Sequence, residues 1–391
     1  MSTAAPLRIL QVHNRYRERG GEDAVADDEA RLLQAAGHRV ERYLRDNAEI
    51  DAIGPARAAL QGIWSTQTAR ELADLARRCD AQLVHVHNSF LRVSPSAHAT
   101  AHRLGLPVLQ TLHNHRLLCP QAMLLRDGRH CDDCVGRTPW PALRHGCWRG
   151  SRSATAAVVA QLQWHRWRGT WSNDVTLYLA LSEGARATFV RGGLPGARLR
   201  VHPNFAEGPT QPPGGPRDGV LFVGRLSPEK GTAALAACAA AGEALRVLGD
   251  GPERQALAGL PGLELLGRRG PDEVRQALSH ASLLLMPSQA AESFPRVLAE
   301  AAACALPVLA WRSGALGELV EHGVTGWLVQ PGDVPGLLHH LRLARQHPEQ
   351  LRRMGLAARE RWAAHWSPTV ALRRLEGLYR EAIALRGGGL A

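Results

Sequence analysis

The chain has 391 residues, which is enough for two domains of ordinary size, and its composition is that of a globular protein without extensive disorder. It contains no run of about 18 apolar residues, so we expect no membrane-spanning helix. The formal net charge of +11 comes almost entirely from arginine. This charge is compatible with solubility alone or with an anionic partner, whether a lipid surface, a substrate or a nucleic acid.

The seven cysteines are scattered through a long chain that shows no basic-then-apolar signal segment. Such usage favours reduced thiols or a metal site over a disulfide framework. We therefore expect a cytoplasmic protein, with peripheral binding at the inner face of the membrane as a further option for so basic a chain.

The first half of the chain alternates between strand and helix patterns. Strands are predicted at residues 7–12, 39–44, 82–87, 107–112, 175–181 and 199–205, and helices at 23–36 and 64–78. This alternation indicates parallel βαβ units in a doubly wound sheet. Because ligands of such sheets gather at the carboxyl ends of the strands, the positions of His87 and His113 are both of interest, although His87 is interpreted as structural. Residues 13–21 are predicted to form a polar loop.

A linker rich in proline and glycine at residues 207–218 separates the first domain, 1–206, from the second, 219–366. The second domain has predicted strands at 220–223, 245–248, 263–266, 283–287 and 307–310. A final helical stretch breaks near Ser367, because a residue before proline disfavours helix. Residues 367–391 are then expected to return to the first domain. The fold class predicted is α/β, with two Rossmann-like doubly wound domains facing a central cleft and a cysteine-containing insert at 119–150 in the first domain.

The stretch after the fourth strand of the second domain carries two glutamates. An alanine-rich helix is predicted at residues 297–304, and Pro295 suits the first helical position. Glu292 then lies in the loop and Glu300 lies on the helix. Amides at a helix N-terminus can face an anion, and a carboxylate can accept hydrogen bonds from two hydroxyls. The stretch therefore predicts the floor of a nucleotide-sugar site.

The other strand ends of the second domain carry glycines and cations, in the order Gly224, Arg225, Lys230, Gly249, Gly251 and Gly267. Together with Glu292 and Glu300, this array resembles that of the family-4 glycosyltransferases, which are retaining enzymes of the GT-B architecture. The resemblance extends over essentially the whole chain, from the Gly20–Gly21 loop to Gly326, and implies a bacterial enzyme of glycan or polysaccharide biosynthesis.

The resemblance implies a role for each matching residue of the second domain. Arg225 and Lys230 would hold the donor diphosphate. Glu300 would bind the ribose hydroxyls, and Glu292 would contact the transferred sugar. The donor-binding residues implied in this domain are Arg225, Lys230, Gly251, Glu292, Ser293, Phe294 and Glu300, with the backbone amides around Ser293 and Phe294 facing sugar or phosphate.

In the first domain the resemblance implies a close backbone approach to the diphosphate at Gly20 and Gly21. His113 matches a histidine near the reacting sugar carbon. The implied catalytic residues are His113, Glu292, Arg225 and Lys230.

The reaction implied is a front-face displacement in which a donor phosphate oxygen receives the proton of the acceptor hydroxyl. Two fixed cations would stabilise the leaving diphosphate, so no metal is expected to be required for catalysis. The expected enzyme is a hexosyltransferase. Its expected partners are a nucleotide-diphosphate sugar and a glycan or lipid-linked acceptor, with no nucleic acid.

The insert contains four cysteines, Cys119, Cys131, Cys134 and Cys147. Four thiolates suffice for a closed tetrahedral zinc site, which would be structural and would shape the acceptor pocket. The alternative is four unligated thiols in an irregular loop, since the segment contains one close Cys-x2-Cys pair and two distant cysteines.

Trp164, Trp167 and Trp171 recur at helical spacing among arginines, and no acidic residue occurs at positions 135–173. One interpretation is a helix on an anionic membrane surface. The simpler one is a helix packed on the first domain, with its tryptophans mostly inside.

Two alternatives to a transferase stay open on the sequence. The first is a nucleotide-sugar epimerase or phosphorylase of the same fold, to which Arg225, Lys230 and the two glutamates fit less specifically. A nucleic-acid-binding protein would use the basic insert and a zinc knuckle, and its binding would depend on salt and not on Glu300.

Overall fold

The computed structural model describes residues 5–387 and divides them into two compact units. The first unit comprises the described residues up to Ala122, then Asp132–His202, and the described residues from Leu372 onward. The second comprises Met123–Cys131 and Pro203–Ala371.

The strands are β1 (Arg8–Arg15), β2 (Arg39–Asp46), β3 (Leu83–Asn88), β4 (Val108–Leu112), β5 (Leu125–Arg126), β6 (Arg129–His130), β7 (Leu177–Ala180), β8 (Leu199–Val201), β9 (Val220–Val223), β10 (Leu245–Leu248), β11 (Leu263–Gly267), β12 (Leu283–Met286), β13 (Val308–Trp311) and β14 (Gly326–Val329). The helices are α1 (Gly21–Ala35), α2 (Ile50–Ile53), α3 (Pro55–Ile63), α4 (Thr66–Arg78), α5 (Ser96–Arg103), α6 (Trp140–His145), α7 (Arg152–Trp167), α8 (Thr170–Asn173), α9 (Glu183–Arg191), α10 (Thr232–Ala240), α11 (Arg254–Leu257), α12 (Pro271–His280), α13 (Arg296–Ala303), α14 (Leu316–Leu319), α15 (Val334–Gln346), α16 (Pro348–His365) and α17 (Pro368–Gly387).

The first unit is built on a six-stranded parallel sheet in the order β2-β1-β3-β4-β7-β8. Every residue of the inner strands β3, β4 and β7 is buried, as expected for parallel strands that helices cover on both faces. The second unit repeats this plan in the order β11-β10-β9-β12-β13-β14, with all pairs parallel. The α/β prediction with two doubly wound sheets is confirmed.

The last helix, α17, belongs to the core of the first unit. Its residues Leu375 and Tyr379 pack in one apolar cluster with Ile9 of β1. The carboxylate of Glu376 lies 3.0 Å from His38 Nε2, and both side chains are buried. α16 ends at His365 and α17 begins at Pro368, where the Ser367–Pro368 pair predicts a break.

Three local features differ from the sequence prediction. Residues 13–15, predicted as loop, continue β1 because β2 pairs with them as far as Asp46. The insert contains a short antiparallel pair, β5 and β6, and helix α6 rather than irregular loop alone. β14 was not predicted, although its four residues are fully buried beside β13. None of the described helices combines the length and the hydropathy that a bilayer span requires.

The contribution of α17 to the first unit can be measured with a matched pair of substitutions. Leu375 is 1% exposed in the core, whereas Leu385 on the same helix is 53% exposed. We expect Leu375→Ala to lower the free energy of unfolding by about 2 to 5 kcal/mol, because it removes buried methyl groups and leaves a cavity. Leu385→Ala should change it by about 0.5 kcal/mol or less. Urea unfolding followed by tryptophan fluorescence measures both, and equal effects would show that α17 is not part of this core.

Candidate functional site

The second unit brings the turn that carries Lys230 against the loop after β12. The turn spans Pro228–Lys230 and ends at Gly231, whose φ is +81°. A Cβ at Gly231 would lie 1.9 Å from the carbonyl oxygen of Pro287, so only glycine permits this approach. The amide of Gln289 also donates to the Glu229 carbonyl at 2.9 Å. The two loops are thereby held together at the carboxyl edge of the sheet.

This docking forms an ion pair between the ammonium of Lys230 and Oε1 of Glu292. The hydroxyl of Ser288 donates to the same oxygen at 2.9 Å. The side chains of Lys230 and Glu292 are 30% and 15% exposed, so the ion pair is partly accessible to solvent and does not lie in the core. The Glu292 carbonyl accepts from the Ala315 amide at 2.8 Å, which anchors the loop to the start of α14.

Arg225 follows β9 on a backbone that is held by the turn after β10. The amide of Gly224 donates to the Leu248 carbonyl at 3.0 Å, and that of Leu226 donates to the Asp250 carbonyl at 2.9 Å. A Cβ at Gly249, whose φ is +151°, would lie 1.8 Å from the Gly224 carbonyl oxygen. The Arg225 side chain itself is exposed. The glycine turn thus fixes the position of the Arg225 backbone.

Glu300 lies on α13, where Arg296 Nε donates to its Oε1 at 2.7 Å. The two side chains are 22% and 25% exposed. Glu300 therefore does not serve as a core residue, and its charge is balanced by an arginine one turn earlier. The arginine partner was not part of the sequence prediction, although its i, i+4 spacing could have revealed it.

Ser293 and Phe294 are both buried just before α13. The Ser293 hydroxyl and the two backbone amides form no hydrogen bond with any described residue, and the hydroxyl oxygen is itself buried. The Phe294 ring packs edge-on against Trp366 with 5.4 Å between centroids, which gives the side chain a packing role. Pro295, predicted at the first helical position, instead precedes the helix in an extended conformation, and α13 begins at Arg296.

In the first unit the Gly20–Gly21 pair begins helix α1. The amide of Gly20 donates to Asp23 Oδ2 at 2.8 Å, which caps the helix. A Cβ added at Gly21 would meet no described atom within 4 Å. The fold of the first unit therefore does not itself demand glycine at this position.

Glu22, the next residue, was not identified from the sequence. Its carboxylate accepts a hydrogen bond from the Tyr16 hydroxyl at 2.9 Å and one from Asn114 Nδ2 at 3.1 Å. Burial raises the pKa of Glu22 to about 7. A carboxyl directly after a Gly-Gly pair at a helix N-terminus was the available signal. Because Asn114 follows His113, the structure brings Glu22 to the same strand end as the predicted catalytic histidine.

His113 follows β4 and contacts His87 on the neighbouring strand. His113 Nε2 lies 3.0 Å from His87 Nδ1, and the two rings stack with 5.2 Å between centroids. Burial, followed by the neighbouring histidines His87 and His13, holds the pKa of His113 well below its usual range. The ring is therefore neutral at physiological pH. His87, interpreted from the sequence as structural, is the direct partner of His113.

No disulfide joins any of the seven cysteines, all of which lie in the described part of the chain. Cys119, Cys134 and Cys147 belong to the first unit and Cys131 to the second. Zinc binding by these four residues stays a prediction.

Two family models match consecutive segments of the chain. The model described as Glycosyltransferase Family 4 matches residues 19–207, and that described as Glycosyl transferases group 1 matches residues 217–344. Glycogen synthase of Mycobacterium tuberculosis is 33% identical over 190 residues, which are 45% of this chain and 44% of that protein. The matched segment spans 44% of the length of that glycogen synthase and 16% of the length of an exopolysaccharide phosphotransferase of Streptomyces coelicolor, which is 32% identical over 151 residues, or 36% of this chain.

Solved structures resemble the chain over nearly its full length. HepE of Anabaena, in complex with UDP, has a TM-score of 0.63 and 19% identity, covering 95% of this chain and 99% of that one. Sucrose-phosphate synthase of Thermosynechococcus elongatus has a TM-score of 0.70 and 19% identity, covering 96% and 99%. At such identities the likeness establishes a shared fold.

The raised pKa of Glu22 should make stability depend on pH near neutrality. The carboxyl binds its proton more tightly in the folded chain, where its pKa is about 7, than at its ordinary value of 4.5. Its stabilising contribution is therefore complete below about pH 4.5, declines as the pH rises, and is lost once the pH passes about 7. We expect Glu22→Gln to become more stable relative to the wild type as the pH rises, by up to about 3 kcal/mol.

Urea unfolding at a series of pH values from about 4.5 to just above 7 measures this difference. Glu41→Gln, at an exposed glutamate on β2, is the matched control and should follow the wild type at every pH. A Glu22→Gln curve that also runs parallel to the wild type would contradict the raised pKa.

Proposed function

Because the chain belongs to the family-4 glycosyltransferases, which share the GT-B fold, we propose that it transfers a hexose from a nucleotide-diphosphate sugar to a glycan or lipid-linked acceptor, with retention of configuration. The observation that carries this proposal is the convergence of Lys230 and Glu292 at the strand ends of the second unit, beside the amides of Ser293 and Phe294. HepE, which has this fold, is described in complex with UDP and with UDP-glucose, which supports a nucleotide-sugar donor.

The donor diphosphate would be held by Arg225, Lys230 and the unpaired amides before α13. Charge develops on the diphosphate as its bond to the sugar breaks, and fixed cations and amides stabilise that charge most when it is fully formed. Glu292, already oriented by Ser288, would accept hydrogen bonds from sugar hydroxyls. Glu300, oriented by Arg296, would do the same for the ribose.

The reaction balances without a protein base. The bond between the anomeric carbon and the diphosphate oxygen breaks while the acceptor oxygen bonds to the same face of that carbon. The acceptor's proton passes to the departing diphosphate. Arg225 and Lys230 would stabilise the charge of the leaving diphosphate, so we propose that transfer does not require a metal ion.

The sequence contains a single lysine, Lys230, which makes its engagement directly measurable. An amine-reactive reagent can label only this side chain and the N-terminal amine. We expect the matching nucleotide-diphosphate sugar, from a panel of UDP, GDP and ADP sugars, to protect Lys230 in peptide mass spectrometry. Lys230→Met should weaken binding of that donor about 10- to 150-fold, as expected for the loss of a hydrogen bond to a charged group.

Arg342→Met is the matched control, because it removes one exposed positive charge from α15 of the same unit. It should leave donor affinity within about twofold of the wild type. If no donor of the panel protects Lys230, and Lys230→Met still transfers sugar at the wild-type rate, the proposed donor site is wrong.

We also propose that the first unit contacts an anionic membrane surface. Helix α7 packs against α3 and α6, and these helices expose Leu60, Trp140, Trp164 and Trp167 by 70%, 66%, 44% and 78%. Residues 135–173 contain no acidic side chain. Exposed tryptophans among arginines suit the interface of an anionic bilayer. The simpler interpretation, tryptophans packed inside, holds for Trp171 alone of the three on this stretch, at 7% exposure.

Vesicle sedimentation tests this contact. We expect binding to vesicles that contain phosphatidylserine, weaker binding as salt rises, and little binding to pure phosphatidylcholine. Replacing both Trp164 and Trp167 by Gln should lower the partition coefficient at least about tenfold, because two interfacial side chains no longer bury apolar area. Val324→Gln, at an exposed apolar residue of the second unit, should have no effect. Equal binding by the double variant and the wild type would refute this surface.

A further inference from the structure

A chain of buried polar groups runs beneath His113 within the first unit. From His113 it passes to His87 at 3.0 Å, and from His87 Nε2 to Glu29 Oε1 at 3.1 Å. The same carboxylate oxygen lies 2.9 Å from His85 Nδ1. Glu29 lies on α1 and both histidines lie on β3, and all three side chains are at most 3% exposed. We call this chain of groups the buried relay.

The charges along the buried relay follow from its contacts. Burial by itself would raise the pKa of Glu29, but His85 and His87 hold it well below its usual range, so Glu29 is ionised. Burial lowers the pKa of His87 to about 4, so this ring is neutral at physiological pH. A neutral imidazole carries one proton, and the nitrogen that holds it must be the one that gains most from donating.

The ionised carboxylate decides the position of that proton on His87. A charge-assisted hydrogen bond to Glu29 is stronger than a neutral one, so Nε2 of His87 carries the proton. The amide nitrogen of Gln11 lies 3.2 Å from the same ring nitrogen. Donation from Gln11 would require a lone pair on Nε2 facing the carboxylate oxygen at 3.1 Å, which is repulsive.

The position of the proton on His87 in turn decides which ring nitrogen of His113 is protonated. With Nε2 of His87 protonated, Nδ1 is an acceptor, and His113 must donate to it from Nε2. Nδ1 of His113 then carries a lone pair. No described residue hydrogen-bonds to Nδ1, and the His113 ring is half-buried rather than enclosed.

We propose that Glu29 and His87 are positioning residues that hold His113 with its proton on Nε2, so that Nδ1 accepts a hydrogen bond from a sugar hydroxyl. A lone pair accepts a hydrogen bond from a hydroxyl group and repels phosphate oxygens. His113 therefore contacts the sugar part of its ligand and not the diphosphate. The inference rests on the proposed function for the identity of the ligand, whereas the tautomer of His113 follows from the first unit alone.

Other groups around the buried relay complete it without an ion. Tyr379 of α17 lies 2.8 Å from His85 Nδ1, and Thr111 lies 2.8 Å from His85 Nε2. Glu29, His85 and His87 lie within 4.8 Å of one another, close enough for a cation. Each ring nitrogen of the two histidines already has a hydrogen-bond partner, however, so the two rings need no ion to satisfy their nitrogens.

Ring nitrogen chemical shifts test the tautomer directly. Protein labelled with ¹⁵N histidine is measured at pH 7.5 by long-range ¹H–¹⁵N correlation, and the signal of His113 is assigned from its absence in His113→Asn. We expect a protonated Nε2 and an unprotonated Nδ1 in the wild type. A protonated Nδ1 in the wild type would overturn the proposal, and this measurement needs no variant of the buried relay to fold.

Glu29→Gln removes the charge while keeping the shape of the side chain. We expect the His113 signal to shift towards a mixture of tautomers and the kcat of transfer to fall at least about tenfold, with the affinity for free nucleoside diphosphate unchanged. Glu41→Gln is the control for loss of one carboxylate from the first unit and should change neither quantity. A Glu29→Gln protein of wild-type Tm, tautomer and kcat would refute the role of Glu29.

The two proposals fail in different ways. If the wild type shows the expected tautomer but transfers no sugar to any acceptor, the proposed function fails and the buried relay stands. If transfer is observed while Nδ1 of His113 is protonated, the function stands and the buried relay fails.

Discussion

The ion pair between Lys230 and Glu292 is the interaction on which the candidate donor site depends. It exists because the turn before α10 docks on the loop after β12, and that docking requires glycine at 231. The anchoring of the Glu292 carbonyl by Ala315 holds the acid from the other side. Without this docking, the cation and the acid would lie on two separate loops.

The pair also explains how the Lys230 side chain is held in position before a ligand binds. Lys230 is the one lysine in the sequence, and its charge is balanced by a carboxylate that Ser288 also contacts. Arg296 and Glu300 on α13 form a second pair of this kind. Each acid of the site is thus oriented by a partner, which reduces the rearrangement required when hydroxyl groups bind.

The first unit uses its polar groups in a different way. β3 is buried along its whole length, yet it carries two histidines among apolar residues. Buried polar side chains are tolerated only when donors and acceptors match, and Glu29, Thr111 and Tyr379 provide those matches for His85 and His87. Such a network has few alternative arrangements, so it can hold the proton of His113 on one nitrogen.

The amino-acid sequence alone was enough to predict the two sheets, the strand ends that carry Arg225, Lys230 and Glu292, and the break before α17. These features depend on local periodicity, on glycine and proline, and on the rule that parallel strands end at one edge. It did not reveal β14, the extension of β1 through Arg15, or the extended conformation of Pro295, because pairing with neighbouring strands and loop packing decide them. Only the tertiary structure could show Glu22 beside Asn114 and Glu29 beside His87, since these contacts join residues 92 and 58 positions apart. A pattern along one strand or helix does not reveal which distant side chain will hydrogen-bond to a buried group or balance its charge. Packing in three dimensions decides that partner.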